Sequence, residues 1–302
     1  MNGNGEGSIR PGGAVVFWAT SESDRGKLMA GLAQLGWEKF TPEAKTPYHA
    51  LLDAAKAVYS GWQYLHRGTE KNSGVEVVEE VKGQERNEYR HVDTLAVDEA
   101  TGLLLECQRP DAIRAAYDKA RTNIPANAVT ALLVRAVAHL GGLALRPSGG
   151  FYWVKESATA QFRDVAAVAE QASVSGATRV YALRVAHDAS SVRAITDALR
   201  SEVEQEVSRI SADIAEGEIG KRALEGRKAS ALALREKVKE LSGILGVALD
   251  DLTGKLETVE CAAADAVLSL ASEGVAKIAA EATLPPLLSV DVPETESVQC
   301  AI

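Results

Sequence analysis

From Val192 to Leu270 the apolar residues of this chain recur every three or four positions, and no other feature restricts its folding so strongly. A strand alternates its side chains at every second residue, whereas a helix returns to the same face after three or four. The first ladder runs through Val192, Ile195, Leu199, Val203, Val207, Ile210 and Ile214. Val192, Val203 and Ile214 stand eleven residues apart, a period suited to nearly straight or slightly right-handed packing. The glycine-rich corner EGEIGKRALEG then breaks or bends the helix, since glycine is a poor residue for helix interiors. A second ladder, from Leu224 and Ala231 to Ala263 and Leu270, keeps mostly to heptads, with Gly243 and Gly246 as points where it can kink. Stripes of this length have to be buried. The expectation is a long antiparallel helical (coiled-coil) hairpin over 189–274, packed on itself or on a second copy. Its ladder positions Leu234, Val238, Leu241, Leu245, Leu252 and Leu256 are the expected contacts with a protein partner or with self.

The preceding residues carry mixed periods and predict an α+β head over 13–188. Residues 1–12, rich in Gly and Asn, are expected to be disordered, and 275–302 to form a loose tail. AVVFWAT (Ala14 to Thr20) reads as a strand, followed by helices carrying Leu28, Leu32 and Leu35, and then Leu51, Leu52, Ala55 and Val58. GVEVVEEVK, NEYRHVDTLAVD and GLLLECQ, separated by turn sequences, predict an antiparallel meander. Two helices follow, DAIRAAYDKARTNI and ANAVTALLVRAVAHL, and then LALRPSGGFYWV. In that segment Leu143 and Leu145 alternate before the turn, and Phe151 and Trp153 alternate after it, so a hairpin accounts for the glycines without a ligand. The echo RPGGAVVFW at Arg10 raises a second idea: the two Gly-Gly strands lie side by side in one sheet.

Helix, helix and hairpin over 111–154 is also the order of a winged helix. On that reading Arg121, Asn127, Thr130, Arg135 and Arg146 are the nucleic-acid contacts, with Arg146 at the wing tip and Ala126 to Leu140 as the recognition helix. The net charge of −9 and the few polar side chains on that helix weigh against it.

Chemistry is harder to nominate. Cys107, Cys261 and Cys300 form no C-x-x-C pair, and His49, His66, His91, His139 and His187 fall on separate elements, so no metal site is expected. No phosphate-binding glycine loop and no G-x-S-x-G elbow occurs, and Glu79-Glu80 and Asp250-Asp251 read as solvated acidic faces. No cofactor and no catalytic residue is expected. The sparse cysteines, the N-terminus without a basic or apolar signal region, and the lack of a long apolar run predict a cytoplasmic protein without a membrane span.

The order W…LGW…TP…ALLDAAKAV, a meander, LRPSGGFYWV and then a coiled coil resembles a family of uncharacterised proteins from phages, archaeal viruses and other mobile elements. The phrase is carried by Arg146, Pro147, Gly149, Gly150, Phe151 and Tyr152, with Trp153 where Phe is expected. The resemblance implies the head-and-coil architecture and no catalytic residues. Together these readings predict a non-enzymatic interaction or scaffold protein of a phage or mobile element. The alternative is a DNA-associated accessory protein.

Overall fold

The computed structural model describes residues 11–281, apart from Trp62, 69–73, 83–86, Glu99, Glu106, Ser148 and 217–219. Among the described residues the fold is mixed, with nine strands, all paired antiparallel, and eight α-helices. The chain divides into two units, Met1–Ala198 and Leu199–Ile302.

Glycine chemistry organises the first strand. β1 (Pro11–Ala19) begins within the expected disordered segment, of which 1–10 lie outside the described residues. Gly13 has φ +96°, and a Cβ there would come within 2.4 Å of the Val154 carbonyl oxygen. At Gly12 it would meet the Ala186 carbonyl oxygen at 2.7 Å. Neighbouring strands press on both sides of this pair, and the register of β1 shifts there. Only residues without a side chain fit such a bulge.

After β1 come β2 (Ser23–Asp24), α1 (Arg25–Gln34), a 3-10 turn (Glu38–Phe40) and α2 (Pro47–Val58). Asp24 caps α1 by accepting from the Lys27 amide, and Thr46 caps α2 by accepting from the His49 amide. Next come β3 (Tyr64–Gly68), β4 (Gly74–Lys82) and β5 (Asn87–Ala96), paired in that order. The meander therefore exists, with a different third member. The sequence predicts GLLLECQ in that place, but among its described residues it pairs briefly with the end of β5, through the Val97–Leu104 bridge and the Leu105 amide on the Ala96 carbonyl, with Leu103 and Leu105 exposed. The third strand is Tyr64–Gly68, paired with β4. The alternating Val75 and Val77 of β4 meet Leu51, Ala54, Ala55 and Tyr59 of the α2 segment, and Ile113 and Tyr117 close the same core. The last two belong to α3 (Pro110–Thr122).

β6 (Asn123–Ile124) leads into α4 (Ala126–His139), β7 (Leu143–Ala144), β8 (Tyr152–Val154), α5 (Glu156–Gln171) and β9 (Arg179–Ala186). The main sheet has the order β7-β8-β1-β9. The two Gly-Gly strands are indeed neighbours, with Ala14, Val15 and Val16 opposite Val154, Trp153 and Tyr152. With 47–122 set aside as an insertion, and apart from the short β2 and β6, the path is a split β-α-β-β-α-β arrangement with two helices, α1 and α4, in its first crossover. One face of this sheet is covered: Ala14, Val16 and Val154 pack with Val137, Leu140 and Phe162, and α1, α4 and α5 meet through Leu28, Leu32, Leu132, Leu133 and Val165. The expected wing is thus built into a sheet. The free edge that β8 would have in a wing is hydrogen-bonded to β1.

The long ladders form three helices, α6 (Ala189–Glu216), α7 (Lys221–Leu245) and α8 (Asp250–Glu281). The boundary between the units falls within α6. Gly246, at φ +67°, ends α7 with its amide on the Ser242 carbonyl, so the second ladder is two helices and not one kinked helix. Ile210, Ala231, Val259 and Ala263 share one core, bringing all three helices together. Arg227–Asp213, Lys237–Glu202 and Arg235–Glu260 pair across them at 2.5, 2.9 and 2.9 Å. Leu234, Val238, Leu241, Leu245, Leu252 and Leu256 are all buried by the chain itself. A third helix fills the seam that a two-helix hairpin would have offered to a partner. Helix α8 also continues to Glu281, past the point where the loose tail was expected; 282–302 lie outside the described residues.

Candidate functional site

The pleat of the four-stranded sheet sends every second residue away from the helices. On β1 these are Val15 and Phe17, on β9 Arg179, Tyr181 and Leu183, and beside β8 Phe151 and Trp153. The face has two ends. Trp153 is only 1% exposed, and its indole N–H donates to the Gly12 carbonyl at 2.7 Å. At the other end Phe151 is 43%, Tyr181 48% and Leu183 57% exposed, and Phe17 is half-buried.

These rings form a continuous run. The Phe17 ring lies 4.9 Å from Tyr181 in a stacked arrangement and 5.2 Å from Phe151 in a tilted one. Arg146 places its guanidinium over the Phe151 ring at 5.5 Å, and its Nε donates to the Gly149 carbonyl. Gly149 and Gly150, at φ +69° and +91°, turn the chain so that Arg146 and Phe151 meet. Arg179 stands two residues before Tyr181 on the same face, held by its bonds to the Gly176 and Thr178 carbonyls at 2.6 and 2.7 Å. No strand position on this face is acidic.

The other residues expected to touch nucleic acid do not join Arg146. Thr130 shares a hydrogen bond of 2.8 Å with Thr20, and Arg135 donates to the Phe40 carbonyl at 3.1 Å. Both lie with the exposed Asn127 on α4, on the covered side of the sheet. Arg121 on α3 donates to the Tyr117 hydroxyl at 3.1 Å. Phe17, Tyr181 and Arg179 escaped the sequence reading. Their alternation was visible, but only helix packing decides which alternate set is left open.

Two polar clusters elsewhere have structural work. Buried Asp93 accepts from the Tyr59 hydroxyl at 2.7 Å and from the Gln108 amide at 3.1 Å, tying β5 to the chain before α3. Burial, and then the bond to Asp93, push the Tyr59 hydroxyl well above its ordinary pKa. Burial also pushes the nearby Cys107 thiol up, away from the thiolate that nucleophilic chemistry needs. Burial lowers the pKa of His66, favouring its neutral form. A groove of about 180 Å³ is lined by Glu22, Lys45, Asp53, Lys119 and Asn123. Its charges are matched: Lys119 pairs with Glu22 at 2.9 Å and Lys45 with Asp53 at 2.5 Å. Among the described residues, no group of three His, Cys, Asp or Glu is placed to hold a metal ion, and no helix is long and apolar enough to cross a membrane.

Residues 13–278, which include the ring run, α6, α7 and most of α8, match the sequence model of a family of unknown function, DUF6744. The chain belongs to that family. No curated protein and no solved structure matches the chain. The family match spans both units, so the sheet and the three helices fall together in one family sequence.

Proposed function

We propose that this member of the family is a non-enzymatic, nucleic-acid-associated accessory protein of a phage or other mobile element. The observation that carries the reading is the open sheet face, where Phe151, Phe17 and Tyr181 run in contact between Arg146 and Arg179. The overall charge of −9 does not oppose it, because the acid is unevenly distributed. Residues 1–198 carry 22 Lys and Arg against 23 Asp and Glu, while 199–302 carry 11 against 19. The head is close to neutral, so two arginines on an acid-free face set the local field.

Fluorescence anisotropy with labelled mixed-sequence nucleic acid at graded salt tests the reading. Binding is expected to weaken with salt, and Arg146→Ala is expected to reduce the slope of log affinity against log salt by about 0.7 for a single strand. Arg135→Ala should leave that slope alone, since Arg135 sits on α4, on the covered side of the sheet and away from the ring run. Absence of binding, or a slope indifferent to both Arg146→Ala and Arg179→Ala, sinks the reading.

Scaffolding through the helical unit is the second reading. Its specific support is Leu232, Ile244 and Leu268, large apolar side chains exposed among the described residues of α7 and α8. Light scattering on the full chain decides it: self-association that Leu268→Ser and Leu232→Ser abolish would favour it, and a monomer at every concentration would end its self-association form.

A further inference from the structure

The ring run specifies more than affinity for a polyanion. Three aromatic side chains in contact, with Leu183 beside them, make a continuous apolar patch on the first unit. Single exposed apolar residues are ordinary, whereas contiguous patches mark interaction surfaces. Here the patch is aromatic, with Arg146 over the Phe151 end, Arg179 two residues from Tyr181 on the same strand face, and no acidic strand position. Such a surface suits flat, electron-rich rings joined by anionic links.

We propose that single-stranded nucleic acid lies across this face, unpaired bases extending the ring run at its Tyr181 and Phe151 ends, with Arg179 and Arg146 beside the backbone. This rests on the nucleic-acid reading above and narrows it to one kind of ligand. The Phe17 and Tyr181 rings already stack on each other, so the surface left for a base is at the two ends, where exposure is greatest. Base–aromatic stacking tolerates any sequence because every base has a π-face. Duplexes fit poorly. Their bases are stacked inside the helix and present only edges to the grooves, so the rings of an open sheet find no face to meet. Arg146 adds a second planar group, its guanidinium over Phe151, on which a base can also stack.

The experiment compares the full chain binding a labelled single-stranded DNA of mixed sequence, the RNA of the same sequence, and the corresponding duplex. Single strands should bind more tightly than duplex, and the DNA and RNA arms identify the source. Tyr181→Ala and Phe151→Ala should each weaken single-strand binding roughly tenfold, while Tyr181→Phe and Phe151→Tyr retain it. Both side chains are exposed, so their variants should keep the parent's melting curve, which is checked by circular dichroism. Equal affinity for duplex, or alanine variants that bind like the parent while Arg146→Ala weakens binding, overturns the stacking proposal and leaves the broader function standing. No binding in any arm overturns both.

Discussion

At the scale of single residues, the positions with least freedom are the glycines of the echo phrase. Gly13 combines a left-handed backbone with a Cβ position only 2.4 Å from a neighbouring carbonyl oxygen. Gly13→Ala should lose at least the roughly 1–3 kcal/mol of a strained non-glycine backbone, read by urea unfolding. An unchanged midpoint would mean that the bulge is not as tight as described. Asp188 sets a different constraint: its carboxylate accepts from the Ser191 amide at 2.8 Å and caps α6. That bond holds its carboxyl below the ordinary aspartate value. A depressed folded value means that the stabilisation is complete above the unfolded pKa and is lost as pH falls through the folded one. Acidification through that range should therefore speed exchange of the Ser191 amide relative to the helix interior, and Asp188→Asn should abolish this pH dependence.

At the scale of elements, local sequence and tertiary placement contribute separately. The alternation in TRVYALRVA makes β9 a strand, yet nothing local tells whether Tyr181 and Leu183 or Val180 and Ala182 face water. Docking of α5 and α1 onto Val180 and Ala182 settles it and leaves the Tyr181 row open. GLLLECQ shows the converse. Its apolar run favours a strand, but among its described residues the pairing is brief, with the Val97–Leu104 bridge and the Leu105 amide on the Ala96 carbonyl at the end of β5. The third strand of that sheet is Tyr64–Gly68, on the far side of β4. Short apolar runs are ambiguous for this reason: pairing is a contest between distant segments that a local window does not contain. The hairpin of β7 and β8 was legible as a hairpin, and its place beside β1 only through the echo phrase, while β9 on the other side of β1 was not legible.

At the scale of the whole molecule, the division into two units has a measurable consequence. Leu241, on α7, is fully buried. Leu241→Ala should cost about 2–5 kcal/mol there, from lost transfer energy and the cavity left behind. Hydrogen exchange on the full chain should show the loss in α7 and α8, with β1 and β9 as protected as before, because the head has its own cores. Loss of protection spreading evenly through both units would instead mean one cooperative body.

Sequence alone determined the type of most elements: a period of three to four in the long ladders, a period of two in the strands, and glycine at left-handed turns such as Gly149, Gly150 and Gly246. These are local properties, set by backbone geometry and the side chains within a few positions. It also raised, through the Arg-Pro-Gly-Gly echo, the idea that two strands lie side by side. Only the tertiary structure decided that the two echo strands pair, that a third helix closes the ladder seam, and that Phe17, Phe151 and Tyr181 share an uncovered face. The sheet depends on contacts of β1 with β8 and β9, more than a hundred positions away, and the helical seam on contacts from Ile210 to Ala263. A surface is defined by what fails to cover it, and that is a property of the assembled fold.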